Sequence, residues 1–188
     1  ANAAGAERMK AATSTTVAKQ GYIPMPDGTR LEYTVDLPNG SGKFPVAMVY
    51  DGYCEGPGGL ACNDVASAHA LYTAGFAILG VSIPGTSCSS GVFNAFTEQE
   101  WRDGAAVVEW AARLTGANGK VALIGHSDEG RLAWFAAVSA PPHLAAISPT
   151  AATSDPWRIV PYAAMAFGPI NVDWACLMRD RNMATNTA

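Results

Sequence analysis

The sequence predicts an α/β fold, with a mostly parallel sheet and helices on both faces, and three observations carry that prediction. Short, wholly apolar runs recur at Val46 to Tyr50, Phe76 to Val81 and Val121 to Ile124, as strands buried on both faces require. Helical patterns lie between the second and third runs and before the second, over Thr97 to Gly116 and Asp64 to Ala74. Strand and helix in alternation then call for parallel pairing through crossover connections.

Taken in order, residues 1–20 are small and polar without an apolar core, so they read as a flexible segment and not as an intact signal peptide. Arg30 to Leu37 alternates polar and apolar residues before the turn signal Pro38-Asn39-Gly40-Ser41-Gly42, as an antiparallel edge strand would. The first helix opens at Asp64 and stops at Gly75. Thr97-Glu98-Gln99-Glu100 is a capping box, with Phe96 and Trp101 placed as a hydrophobic staple. The helix it opens should bury Trp101, Ala105, Val108 and Ala112 on one stripe. A further helix is expected over Arg131 to Ala140, and a fourth apolar strand over Leu144 to Ile147. Residues 21–150 form the α/β domain in this reading, and 151–188 begin a cap or connecting segment.

Composition limits the function. A chain of 188 residues with 49% hydrophobic and 15% charged side chains can bury one sizeable core. A net charge of −4 without a Lys/Arg block excludes nucleic acid and anionic membranes as partners. The four cysteines, Cys54, Cys62, Cys88 and Cys176, lack metal-ligand spacing, so no metal is expected; Cys62 with Cys88 is the preferred disulfide. Such a bridge would suit a secreted or periplasmic location, the alternative being cytoplasmic. The run Gly56-Pro57-Gly58-Gly59-Leu60-Ala61 matches a dinucleotide-binding fingerprint, but the next strand ends in Ser82-Ile83-Pro84 without the acid that would hold a ribose.

The chemistry concentrates at Gly125-His126-Ser127-Asp128-Glu129-Gly130, where a buried strand must turn sharply into a helix. A serine at such an elbow stands exposed, with helix N-terminal N–H groups aimed at its reaction centre. The usual spacing of glycine around the serine is G-x-S-x-G, and here the second glycine comes one place later, at Gly130.

Five segments in order give the chain a resemblance to the CocE/NonD hydrolases, the cocaine esterase and X-Pro dipeptidyl-peptidase-like family, over about residues 21 to 158. They are Met25-Pro26-Asp27-Gly28-Thr29-Arg30-Leu31; Phe44-Pro45-Val46 with Tyr53 after it; Gly85-Thr86-Ser87-Cys88-Ser89-Ser90-Gly91; Asp103-Gly104 with Val107-Val108-Glu109-Trp110; and Gly119-Lys120-Val121 through Gly130, followed by Pro141-Pro142-His143-Leu144. The resemblance implies an α/β-hydrolase fold, cut short after the elbow and the following strand, and a chain matching the N-terminal half of the catalytic domain. It implies a serine hydrolase acting on a small-molecule ester, an amide or an X-Pro peptide through an acyl-enzyme, without cofactor. Ser127 would be the nucleophile, with the backbone N–H of Asp128 and the phenol of Tyr53 as oxyanion donors. Tyr50 competes with Tyr53 but ends an apolar run, as a packed strand residue does.

Asp128 departs from the family, which commonly has an aromatic or apolar residue there, and its carboxylate is expected to turn toward the helix start. None of His69, His126 and His143 falls after the nucleophile where this fold keeps its base, and Asp155 and Asp173 lie where the family begins its cap. The acid and histidine are therefore expected from residues outside this chain, on the same or a second polypeptide. The alternative reading is a non-catalytic hydrolase-like binding or structural chain.

Overall fold

The computed structural model describes residues 19–38, 42–53, 70–155 and 176. Six strands form one mixed sheet: β1 (Lys19–Pro24), β2 (Arg30–Asp36), β3 (Phe44–Asp51), β4 (Ala77–Ser82), β5 (Ala117–His126) and β6 (Leu144–Thr150), in the spatial order β1-β2-β4-β3-β5-β6. β1, β2 and β4 pair antiparallel, whereas β4, β3, β5 and β6 run parallel. Two helices are complete, α1 (Glu98–Ala111) and α2 (Asp128–Val138). Of the helix expected over 64–74, the described part begins at residue 70 and is helical through residue 73.

The apolar runs are the centre of the sheet, as their sequences require. Val46, Met48, Leu79, Val81, Val121 and Leu123 are buried in one cluster that Val107, Val108, Leu132 and Ala136 of the helices complete. Two strand expectations change. Arg30–Asp36 is not an edge, because β1 covers its outer side. β1 escapes a sequence reading because Gly21 and Pro24 both argue against a strand. At an edge they fit: a Cβ on Gly21 would lie 2.9 Å from the Tyr33 ring, so the glycine makes room for an aromatic on the neighbouring strand. β6 is longer than the apolar run predicts and carries Pro149, which an edge strand tolerates. Ala145, Ala146, Ser148 and Thr150 on it are exposed.

α1 begins as predicted, with Thr97 Oγ1 accepting from the N–H of Glu100, but the Glu100 carboxylate reaches back to the N–H of Phe96 at 3.0 Å, one residue earlier than a capping box requires. Its buried face is also rotated from the predicted stripe, onto Glu100, Asp103, Gly104, Val107, Val108 and Ala111. The cause is local. A Cβ on Gly104 would come within 2.8 Å of Ala136 Cβ, so glycine lets α1 and α2 touch; Glu100 finds a cation, Arg131, on α2, and Asp103 accepts from Gln99 on its own helix. A hydrophobicity stripe assigns glycine and acids to the outside and misses both.

The expected Cys62–Cys88 bridge is corrected: Cys88 is an exposed free thiol. Hydrogen bonds anchor its loop instead. Ser89 Oγ accepts from the Glu32 N–H and donates to the Ser82 carbonyl, and Ser90 Oγ accepts from the Arg30 N–H. Ser87 Oγ donates to Glu32 Oε2 at 2.7 Å. Cys54, Cys62 and the glycine-rich run 56–61 lie outside the described residues.

Candidate active site

Parallel pairing brings the carboxyl ends of β3, β4 and β5 to one edge, with Asp51 opposite Ser82 and β5 immediately beside β3. Functional groups of open α/β sheets collect at that edge. Ser127 stands there, exposed, between the last residue of β5 and the first of α2. Its backbone takes φ 57° and ψ −114°, a conformation that costs a non-glycine residue about 1–3 kcal/mol and persists only where the surroundings impose it. Those surroundings are visible: the Ser127 N–H donates to the Thr150 carbonyl at 2.9 Å, and the Ser127 carbonyl accepts from the Arg131 N–H at 3.0 Å. The hydroxyl caps nothing in the helix that follows. A helix-capping role for Ser127 is thereby excluded, and the residue is exposed.

The shifted glycine has a steric explanation. A Cβ at Gly125 would fall 2.5 Å from the Glu129 carbonyl carbon, so the strand residue before the elbow must be glycine for the helix to fold back over it. A Cβ at Gly130 would meet Ala152 Cβ at 2.7 Å and the Thr150 carbonyl oxygen at 3.1 Å. Position 129 faces neither constraint as a glycine would, and a side chain is accommodated there.

Asp128 turns away from the crevice. Its carboxylate is buried and lies 2.6 Å from Arg131 Nε, and Arg131 in turn grips both oxygens of Glu100, at 2.6 and 3.0 Å. The guanidinium sits between the rings of Phe96 and Phe135, 4.5 and 4.9 Å from their centroids. Burial works against its charge, but the hydrogen bonds and charges of Glu100 and Asp128 outweigh that and raise its pKa. This cluster fixes the first turn of α2, whose N–H groups border Ser127. Sequence reasoning gave Asp128 the helix start as its partner and did not anticipate Arg131 or Glu100.

A second buried acidic group lies behind the elbow. Asp51, fully buried at the end of β3, accepts from the Tyr53 N–H at 2.8 Å, and Glu129 in the first turn of α2 is buried as well. Burial, then the charge of Asp51, push the Glu129 carboxyl up to about 8. Tyr53 thus stands two residues beyond β3, on the strand beside Ser127's own, with its backbone held by Asp51. Tyr50 is buried in the core, where a Cβ at Gly104 would lie 3.6 Å from its ring; burial, with Asp103 and Glu100 nearby, raises its pKa well above the usual phenol value.

Among the described residues, neither His143 nor His126 is placed as a triad base. His143 Nδ1 is 2.8 Å from Glu109 Oε2, but it precedes β6 at the opposite end of the sheet. Leu144 pairs with Val121, six residues before Ser127, which at 3.3 Å per residue puts the dyad about 20 Å from the serine. His126 Nδ1 lies 3.2 Å from Thr150 Oγ1, on the β6 side. His69 and Asp173 lie outside the described residues, and Asp155 follows β6 with its N–H donating to Thr153 Oγ1. No cluster of potential metal ligands occurs among the described residues. A cavity of about 170 Å³ opens between the β1–β2 turn, the loop after β4 and the start of α1, but neither Ser127 nor Tyr53 lines it.

Residues 27–182 match the family described as X-Pro dipeptidyl-peptidase (S15 family). The chain is 28% identical over 143 residues to the cocaine esterase of Rhodococcus sp. (strain MB1 Bresler), covering 76% of this chain and 25% of that protein. It is 27% identical to the solved structure of a CocE/NonD family hydrolase from Staphylococcus aureus, with a TM-score of 0.65 over 74% of this chain and 28% of the other. An aminopeptidase from a marine sediment archaeon, Thaumarchaeota archaeon, shares the fold at 22% identity and a TM-score of 0.63, over 72% of this chain and 25% of that one. The chain therefore spans about a quarter of the length of these relatives.

Proposed function

Because the chain belongs to the X-Pro dipeptidyl-peptidase (S15) family, we propose that it carries the nucleophile half of a serine hydrolase that cleaves an ester or amide, X-Pro peptides included, through an acyl-enzyme on Ser127. The strained, exposed and uncapped geometry of Ser127 is the observation that carries this reading. The Ser127 hydroxyl attacks the acyl carbon while a histidine from outside the described residues takes its proton. The oxyanion that forms is received by the Asp128 N–H at the start of α2 and by the Tyr53 phenol from the β3 side. The leaving group departs with that proton, and water then releases the acyl group. The acid that orients the histidine also comes from outside the described residues, and so do most of the cap and the substrate pockets. No cofactor or metal takes part in these steps.

Two experiments test the reading. Mixing the whole protein with excess p-nitrophenyl ester should give a burst of about one equivalent of p-nitrophenol before a slower steady rate, as an accumulating acyl-enzyme does. A linear trace with no burst, at a rate unchanged by Ser127→Ala, would remove Ser127 from the mechanism. Tyr53→Phe should lower kcat by about 10²–10³-fold, the usual loss of one oxyanion donor. Tyr50→Phe should leave kcat unchanged; a large loss there with none at Tyr53 would exchange the roles of the two tyrosines.

A further inference from the structure

We propose that Arg131 is a positioning residue for the reaction: clamped to α1 through Glu100, its side chain holds the peptide between Ser127 and Asp128 so that the Asp128 N–H stays aimed at the oxyanion. The proposal rests on the assignment of Ser127 and of the Asp128 N–H above, and it adds a residue that touches no substrate.

The geometry is a grip on both ends of one peptide unit. The Ser127 carbonyl accepts from the Arg131 N–H at 3.0 Å, and Asp128 Oδ1 accepts from Arg131 Nε at 2.6 Å. A peptide is planar, so its N–H points opposite to its C=O, and fixing one fixes the other. The Asp128 N–H is therefore aimed by the residue that holds both the carbonyl behind it and the side chain ahead of it. On the far side of the serine, the Ser127 N–H is tied separately, to the Thr150 carbonyl at 2.9 Å. An ordinary helix start supplies the carbonyl bond alone, and the Asp128 and Arg131 side chains add the second.

The grip is anchored outside α2. The two terminal guanidinium nitrogens of Arg131 donate to the two oxygens of Glu100 at 2.6 and 3.0 Å, a forked pair with a fixed orientation. Glu100 also accepts from the Phe96 N–H at 3.0 Å, and the Phe96 ring covers the guanidinium. Phe96 has φ 63°, a left-handed conformation that an aromatic residue takes only where its surroundings impose it. Arg131, Asp128 and Glu100 are all buried, so water competes little for these bonds. The bond from Arg131 Nε also keeps the carboxylate beside the nucleophile out of the crevice, where its charge would oppose an oxyanion. Arg131 thus serves the site twice, by aiming a donor and by withholding a negative charge.

The test compares variants of the whole protein in which no carboxylate loses its only cation. Asp128→Ala removes the side-chain bond but keeps the N–H at 128 and the pair of Arg131 with Glu100. Arg131→Met combined with Glu100→Gln and Asp128→Asn removes all three charges at nearly constant volume. In both, kcat on a p-nitrophenyl ester should fall about ten- to a hundredfold with KM within about twofold, as a misaimed oxyanion donor requires. Circular dichroism and urea unfolding should show both variants folded. Asp128→Asn alone restores an acceptor for Arg131 Nε and should turn over at least about threefold faster than Asp128→Ala. A merely structural role would shift the urea midpoint and leave kcat of the folded variants at the parent value. A kcat within twofold of the parent in Asp128→Ala or in the folded triple variant would overturn the proposal, and so would equal rates for Asp128→Ala and Asp128→Asn or a loss confined to KM. Parent-like turnover in Ser127→Ala would instead overturn the assignment of the nucleophile, and the positioning role with it.

Discussion

Ser127→Ala should abolish hydrolysis by the whole protein, with kcat falling on the order of 10⁴–10⁶-fold, because a triad without its nucleophile retains only what the oxyanion donors and binding provide. The fold should not notice. The hydroxyl makes no capping bond in α2, and alanine meets the same φ of 57° that serine does, so stability should change by less than about 0.5 kcal/mol. Thermal unfolding and turnover measured on one preparation separate these effects. A joint loss of both would mean that the hydroxyl holds the elbow together; retention of most of the turnover would mean that another group attacks the substrate.

Arg131→Ala should be among the most destabilising single changes in the chain, costing about 3–5 kcal/mol, since it leaves the Glu100 and Asp128 carboxylates buried without their cation. It also removes a guanidinium packed between Phe96 and Phe135 and joining α1 to α2. The cluster as a whole is a different matter. Taking two charges out of water costs about as much as their attraction returns, so Arg131→Met combined with Glu100→Gln and Asp128→Asn should recover most of the stability. Urea unfolding of the single and triple variants measures the difference. A single variant within 1 kcal/mol of the parent would show that the carboxylates take up water or protons at little cost, and the cluster would then not hold the start of α2.

The sheet centre and the elbow were legible in the sequence because each follows from a local rule. Val46 to Tyr50, Phe76 to Val81 and Val121 to Ile124 are too apolar and too short to be anything but central strands, and they are β3, β4 and part of β5. Ser127 could be read from the strand before it and the helix after it, and Thr97 from capping chemistry. What stayed hidden depends on residues far apart in the chain. Glu100 and Arg131 are 31 positions apart, and only the contact of α1 with α2 at Gly104 and Ala136 makes them partners. Asp51 and Glu129 read as a loop residue and a solvated helix start, yet both are buried. The one signal available was the negative charge of Asp128 where the resembling family is commonly aromatic or apolar, and such charge can stay buried only if something neutralises it. For Asp128 that is Arg131.

Glu100 shows how one residue can mislead and inform together. Its spacing from Thr97 marks the start of α1 correctly, yet its carboxylate serves both the Phe96 N–H and Arg131, so the residue that opens the helix also anchors it to α2. The predicted stripe holds at Val108 and Ala112 but misses the part of the face that touches α2, which is built around Gly104 and Glu100.

The most direct test of the account is reaction of the whole protein with a fluorophosphonate probe at neutral pH, followed by peptide mapping of the adduct. The expected result is one phosphonyl group on Ser127, lost on heat denaturation before labelling and absent in Ser127→Ala. An active protein labelled at another serine, or one that hydrolyses esters while Ser127 stays unmodified, would contradict the central claim that this strained elbow carries the nucleophile.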